Sequence, residues 1–199
     1  MFKKFSGDVA QFSSLLGLYM RVAIIGTAGR DKSRVMTAQT WQWMVDAAKA
    51  QIPQGSIGVS GGAAWADHIA VALLLADHLG GLVLHLPAPI TERGFLGGYG
   101  TSGGAANYYH TKFANTINVN TIQQILDCTM FPNCTGSVQP VSQGFSAMFA
   151  RNKRVVDELD PKTDAMLAFT FGKHEVADGG TKYTWDLFRG ANKTHLTIP

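Results

Sequence analysis

The amino-acid sequence predicts an α/β protein of the Rossmann-like class: three layers around a mainly parallel central sheet of about five strands. Two observations support this class. Short apolar runs alternate with helical patterns, which is the order of a parallel sheet with right-handed crossovers. Three glycine-bearing turns also follow predicted strands directly. The 199 residues are 46% hydrophobic and 16% charged, so we predict one domain over residues 1–199.

The first half of the chain contains three predicted strands. Arg21–Gly26 is a continuous apolar run, as in buried parallel strands, and similar runs lie at 56–60 and 82–86. Helical patterns over about 36–50 and 64–79 separate them. Residues 1–20 form an N-terminal extension in which apolar residues at helical spacing allow a short docking helix.

The alternation stops between residues 88 and 144. Six glycines fall within 94–104, and a helical pattern follows over 106–127. Connections this long are usually functional or mobile, so we predict an insertion after the third strand that forms a lid or an oligomer contact. A disordered surface loop is the alternative. The α/β order then resumes with a helix at 145–159, a strand at 164–171, a helix at 181–191 and a fifth strand at 193–198.

Composition excludes several classes of protein. The net charge of +3 is too small to indicate nucleic acid, which is therefore not the expected partner. No apolar run approaches the ~20 residues of a membrane span, and residues 1–20 lack the apolar segment of a signal peptide. Cys128 and Cys134 make neither a disulfide framework nor a zinc signature. We therefore expect a cytoplasmic protein with no membrane association, no metal and no cofactor.

The three glycine-bearing turns form the candidate site. They lie at 26–31, 61–67 and 172–184, each after a predicted strand and before a helix. Ligands of open parallel sheets bind at this carboxyl edge, and helix N-termini favour negative charge. An anionic ligand follows, most simply a nucleotide. The glycines could instead serve only as tight turns. None of the three turns has the spacing of the dinucleotide fingerprint, and the P-loop spacing does not occur, so we set aside an ordinary dehydrogenase and a P-loop NTPase.

Four stretches together resemble the SLOG superfamily of Rossmann-like proteins. That group includes the LOG phosphoribohydrolases, the DprA/Smf DNA-processing proteins and YspA- and YpsA-like relatives. The matching stretches are residues 22–31, 59–70, 150–153 with 164–171, and 179–184. The resemblance covers roughly residues 21–87 and 145–199, and leaves 88–144 outside.

The resemblance implies a nucleotide-type ligand, with its phosphate on the last of these turns and its sugar near the first two. The ligand-binding candidates are Gly26, Thr27, Gly29, Arg30, Gly61, Gly62, Asn152, Gly179, Gly180, Thr181 and Lys182. Cleavage of an N-glycosidic bond passes through an oxocarbenium-like sugar and needs a carboxylate near the anomeric carbon. Asp67 is the catalytic candidate for that role, and Arg151 for binding the phosphate or leaving group. His68, beside Asp67, is a further candidate, whereas we expect His85 to be structural.

One departure from the family pattern concerns catalysis. The phosphoribohydrolases carry Gly-Gly-x-Gly-Thr-x-x-Glu, and Thr184 stands where that Glu would fall. Asp67 or a carboxylate of the insertion, of which Glu92 is the nearest, would have to replace it. Two functions therefore stay open: a nucleotide N-glycosidic hydrolase or transferase, and a non-catalytic sensor or sequestering protein. DprA-like handling of single-stranded DNA is a weaker third. A homo-oligomer is expected.

Overall fold

The computed structural model describes residues 20–31, 33–176 and 179–199. The predicted N-terminal extension lies outside these residues, apart from Met20. Six strands form one sheet: β1 (Arg21–Gly26), β2 (Ile57–Ser60), β3 (Gly81–Leu86), β6 (Cys134–Val138), β7 (Ala165–Thr170) and β8 (Lys193–Thr197). Their order is β6-β3-β2-β1-β7-β8, and every neighbouring pair is parallel. The Rossmann-like fold class is confirmed.

Six α-helices cover the sheet within the described residues. They are α1 (Ala38–Gln51), α2 (His68–Leu75), α3 (Ser102–Ile117), α4 (Thr121–Thr129), α5 (Ser146–Asp157) and α6 (Gly180–Leu187). Alternate strand residues face opposite sides, so Ile24 and Leu167 join the core beneath α1 to α4, whereas Ile25 and Met166 join the core beneath α5 and α6. The sheet with one layer of helices on each face gives the three layers of the fold.

The segment 88–144 is more regular than the sequence predicts. A two-stranded antiparallel hairpin, β4 (Ile90–Thr91) with β5 (Gly94–Phe95), is followed by α3, α4 and β6. Strand β6 pairs with β3 and adds a sixth strand to the sheet, where about five were predicted. The single helix predicted over 106–127 is two helices, since Asn118 adopts a left-handed conformation (φ 55°) and ends α3, and Asn120 caps α4.

The strand order reverses between β1 and β7. From β1 the chain adds β2, β3 and β6 on one side, whereas β7 and β8 lie on the other. Connections on the two sides of such a switch point leave in opposite directions, which opens a crevice at the carboxyl ends of the strands. None of the helices in the described ranges has the length and apolar character required to span a bilayer.

Candidate functional site

A cavity of about 360 Å³ lies at the carboxyl edge, where β1 and β7 meet. Its lining includes nine of the predicted site residues: Gly26, Thr27, Arg30, Asp67, Arg151, Asn152, Gly179, Gly180 and Thr181. They come from the β1 turn, the β2 turn, α5 and the start of α6. The fold therefore brings the three predicted turns to one place.

A buried ion pair forms part of the cavity lining. Arg151 Nη1 lies 3.6 Å from Asp67 Oδ2 and also donates to the Gly61 carbonyl. The two residues are only 6% and 7% exposed. At 3.6 Å the pair is longer than a charge-assisted hydrogen bond of 2.7–2.9 Å, so the guanidinium is held mainly through Gly61.

The electrostatics of this pair are those of two charges removed from water. Burial raises the pKa of the Asp67 carboxyl, although Arg151 and backbone hydrogen bonds from Ala63, Gly26 and Gly61 oppose the rise. Burial likewise lowers the pKa of Arg151, and Asp67 opposes that shift. The guanidinium remains charged at neutral pH. Its buried Nε has no hydrogen-bond partner among the described residues, so Arg151 retains donor capacity.

A tight turn after β2 places Asp67 at the cavity. Trp65 has a φ of 65°, which is costly for a bulky residue, and begins a short 3₁₀ turn that ends at Asp67. Ser60 secures the turn, because its hydroxyl donates to the Asp67 carbonyl (2.7 Å) and accepts from the Gly62 N–H (3.0 Å). The predicted helix over 64–79 is therefore a 3₁₀ turn followed by the shorter α2.

The start of α6 forms the opposite side of the cavity. Its N-cap is Gly179 (φ 96°), which has no side chain to accept from the first-turn N–H groups. The Thr181 hydroxyl donates to the Gly26 carbonyl (2.7 Å), and Asn152 Nδ2 donates to the Gly180 carbonyl (3.2 Å). These bonds join the β1 turn, α5 and α6 around an N-terminus whose partial positive charge suits an anion.

Four predicted residues lie outside the cavity lining. Gly29 (φ 71°) packs against Trp65, and a Cβ there would lie 2.7 Å from the indole Nε1. Gly61 and Gly62 lie behind the ion pair, where a Cβ on Gly61 would lie 2.5 Å from Arg151 Nη1. Lys182 Nζ lies 2.8 Å from Asp186 Oδ2. The three glycines thus permit close packing around the site.

An aromatic wall that the sequence motifs do not predict lines the cavity. Its members are Tyr109, Phe145, Phe149 and Phe171. The Arg30 guanidinium carbon lies 5.1 Å from the Tyr109 ring centre and 5.4 Å from that of Phe145, within cation–π range. The one available signal was the i, i+4 spacing of the two Phe at the start of α5, which places them on one helix face.

A second buried polar cluster, the histidine cluster, lies on the other side of the Gly61–Gly62 turn. It consists of His68, His110, Thr121 and Gln124. His68 Nε2 lies 2.9 Å from Gln124 Oε1, and the two imidazole rings are 5.7 Å apart. His68 does not line the cavity. Burial lowers the pKa of His68 to about 3 and that of His110 to about 4, so both are neutral near pH 7.

Carboxylates in the lining are few. Only Asp31 and Asp67 line the cavity among the residues that the structure covers. Thr184, at the position of the family's Glu, donates its hydroxyl to the Gly180 carbonyl (2.8 Å). Glu92 lies exposed on the β4–β5 connection, outside the cavity. No group of three or more His, Cys, Asp or Glu suited to a metal occurs in the described ranges.

Comparison with known proteins identifies one relative that spans nearly the full chain. No family model matches the sequence. The chain is 34% identical over 188 residues to "Uncharacterized protein R261" of Acanthamoeba polyphaga mimivirus, a match that covers 90% of this chain and 96% of the viral protein. Identity at this level over this length reflects common descent, and the chain belongs to the same protein family as that mimivirus protein.

Proposed function

We propose that this protein binds a nucleotide or nucleotide-derived phosphate ligand in the cavity at the carboxyl edge of its sheet. The proposal extends the resemblance to the SLOG superfamily. The observation that carries it is Arg151: a guanidinium in the cavity lining that is only 6% exposed. The Asp67 carboxylate at 3.6 Å pairs this buried charge only loosely, so an anionic ligand in the cavity would stabilise it.

The rest of the cavity fits the other parts of such a ligand. The α6 N-terminus at Gly179–Thr181 suits a phosphate, because its N–H groups and dipole favour negative charge. The aromatic wall offers flat apolar surface to a base, and base–aromatic stacking contributes about 1–3 kcal/mol. A volume of about 360 Å³ lies at the small end of ligand pockets, which favours one mononucleotide-sized molecule.

Asp67 and Arg151 are the groups we propose for cleavage of the N-glycosidic bond. In hydrolysis the bond from the anomeric carbon to the base nitrogen breaks, and a bond from that carbon to a water oxygen forms. The Asp67 carboxylate would stabilise the oxocarbenium-like sugar and accept the proton of the attacking water. The departing base takes a proton from solvent, Asp67 then releases the proton of the attacking water to solvent, and free base and sugar phosphate are the products. Arg151 would hold the charge of the phosphate or of the leaving base.

A non-catalytic binding protein is the second candidate, and a specific observation favours it. The family's Glu is replaced by Thr184, whose hydroxyl is already bonded to the Gly180 carbonyl. Asp67, the deeper of the two lining carboxylates, accepts backbone hydrogen bonds and faces Arg151. A carboxylate engaged in this way can stabilise a binding site without reacting.

Incubation of the purified protein with separate nucleotides, followed by mass spectrometry, tests the reaction. A hydrolase releases free base and sugar phosphate, and Asp67→Asn abolishes the release while it still binds the ligand. Unchanged turnover in Asp67→Asn would contradict the role of this carboxylate. A ligand that is retained by the protein and recovered intact would establish the binding protein instead.

A further inference from the structure

Two adjacent carbonyl groups connect the cavity with the histidine cluster. The Gly61 carbonyl accepts from Arg151 Nη1, and the Gly62 carbonyl accepts from His110 Nε2 at 3.0 Å. One turn thus holds the cavity guanidinium through its first residue and is itself held by a buried imidazole through its second.

The hydrogen bonds of His110 determine its tautomer. A carbonyl oxygen can only accept, so Nε2 carries the proton that His110 donates to Gly62. In a neutral imidazole Nδ1 is then the acceptor, and the Thr121 hydroxyl, 3.0 Å away, donates to it. Both ring nitrogens are therefore used, and His110 is 1% exposed. An imidazole fixed at both nitrogens is a rigid support for the turn.

We propose that His110 is a positioning residue of the candidate site: its bond to the Gly62 carbonyl holds the turn, so that the Gly61 carbonyl can orient the Arg151 guanidinium. The inference rests on the proposed function only for its ligand readout. It adds a role for the segment 88–144, because His110 and the cavity residue Tyr109 are consecutive residues of α3. The same helix therefore contributes Tyr109 to the cavity lining and supports the turn that bonds Arg151.

The turn depends on this support for a physical reason. Gly62 has a φ of 62°. Its N–H, which shares a peptide unit with the Gly61 carbonyl, donates to the Ser60 hydroxyl, and its own carbonyl, in the next peptide unit, accepts from His110. Loss of His110 would leave the Gly62 carbonyl without this partner in a buried place. Such a group gains by turning toward water or another donor, and because the two peptide units share the Gly62 Cα, we expect that turn to displace the Gly61 carbonyl as well.

Four variants separate positioning from general packing. His110→Leu removes the donor at similar volume, and His110→Gln retains an amide donor for the Gly62 carbonyl. His68→Leu is the matched control, since His68 is equally buried in the same cluster but bonds Gln124 rather than the turn. Thr121→Val keeps His110 but removes the hydroxyl that donates to its Nδ1, and serves if His110→Leu does not fold.

Two readouts are taken for each variant. Side-chain NMR follows the Arg151 guanidinium protons, assigned by their loss in Arg151→Lys, and ³¹P NMR follows binding of inorganic phosphate. We expect His110→Leu to collapse the distinct Arg151 signals and to weaken phosphate binding by about 3- to 30-fold. We expect His110→Gln to restore most of both and His68→Leu to leave both unchanged. Thr121→Val should give a smaller loss in the same direction.

Unchanged Arg151 signals in His110→Leu, or in Thr121→Val if His110→Leu does not fold, would overturn the inference. Equal losses in His68→Leu would overturn it too, because they would indicate general loosening. If the wild-type protein does not bind phosphate, the proposed function loses support. The NMR signals of the Arg151 guanidinium still decide the role of His110.

Discussion

The Gly61–Gly62 turn separates two buried polar clusters that differ in one respect. The histidine cluster has ring nitrogens bonded to Gln124, Thr121 and the Gly62 carbonyl, and it is enclosed by aromatic side chains. The pair of Asp67 and Arg151 is equally buried but lines a cavity. An unpartnered buried nitrogen occurs in both clusters, at Arg151 Nε and at His68 Nδ1. Burial, shifted pKa values and an unpartnered nitrogen occur in both clusters, so they do not identify a site. A charged pair in the lining of a cavity does.

The largest expected effect comes from removing the cavity cation. Arg151→Met should abolish measurable ligand binding, a loss of at least about 100-fold. Charge-assisted hydrogen bonds from a guanidinium to a phosphate are among the strongest hydrogen bonds in proteins. It should also lower the free energy of unfolding by about 3–5 kcal/mol, since Asp67 is left as a buried charge without its partner. Calorimetric titration and urea unfolding measure the two effects.

Lys153→Met is the control for this substitution. Lys153 lies on the same helix, and its exposed amine pairs with Asp157 at 2.7 Å. Such pairs contribute about 0.3–0.5 kcal/mol. A loss of ligand binding in Lys153→Met equal to that in Arg151→Met would contradict the special role of the cavity pair.

The second prediction concerns pH and the histidine cluster. The unfolded imidazoles titrate near pH 6.5, whereas the folded ones have pKa values of about 3 and 4. The unfolded chain therefore binds more protons, and stability falls as the pH drops from about 6.5 to about 4. Each histidine contributes a slope approaching about 1.4 kcal/mol per pH unit.

Urea unfolding between pH 7 and pH 4.5 measures this slope in the wild type and in His68→Gln. The variant should show the flatter slope, because one titrating group is gone. The Asp67 carboxyl acts in the opposite direction, since a raised folded pKa adds stability as the pH falls. A slope unaltered by His68→Gln would show that His68 is not neutral in the folded protein.

A third, smaller effect is expected at the turn itself. Gly61→Ala places a Cβ about 2.5 Å from Arg151 Nη1, a contact that the buried guanidinium must relieve by moving. Overpacking of this kind costs about 1–3 kcal/mol. Ligand affinity should fall by about tenfold, measured by calorimetry. Gly98→Ala, where a Cβ meets nothing within 4 Å, is the matched control and should leave affinity unchanged.

The smallest effect is expected at the aromatic wall. Tyr109→Leu keeps apolar area but removes the ring beside Arg30. Affinity for a nucleotide should fall by about 3- to 10-fold, in line with about 0.5–1.5 kcal/mol for an aromatic contact, while inorganic phosphate binds as before. A parallel loss for phosphate would show that the residue affects the whole cavity rather than its base-facing wall.

Much of the fold could be predicted because buried parallel strands are continuous apolar runs, as in Arg21–Gly26 and Ala165–Thr170. Strand β6 could not, since Cys-Thr-Gly-Ser-Val has neither an apolar run nor clean alternation, and at the edge of the sheet its pairing with β3 decides its structure. The division between α3 and α4 was missed for a similar reason, because one left-handed residue, Asn118, interrupts an otherwise continuous helical pattern.

The candidate site could be predicted to the level of its turns, since the carboxyl ends of parallel strands meet at one edge. The sequence does not predict which of the glycines line the cavity, because the spacing of glycines along the chain does not show which residue packs against each Cα. Gly29 faces Trp65, and Gly61 faces Arg151. The aromatic wall comes partly from the segment 88–144, which matches no motif. Tyr109 reaches the cavity only through the packing of α3.

Retention of a nucleotide by the purified protein tests the central claim most directly. The wild type and Arg151→Met are each equilibrated with a pool of nucleoside mono- and diphosphates, cyclic nucleotides and ADP-ribose derivatives, desalted, and examined by mass spectrometry. We expect the wild type to retain a phosphate-bearing compound, or to yield its base and sugar phosphate, and Arg151→Met to do neither. A wild type that neither retains nor converts any member of the pool, or a variant that equals it, would contradict the account.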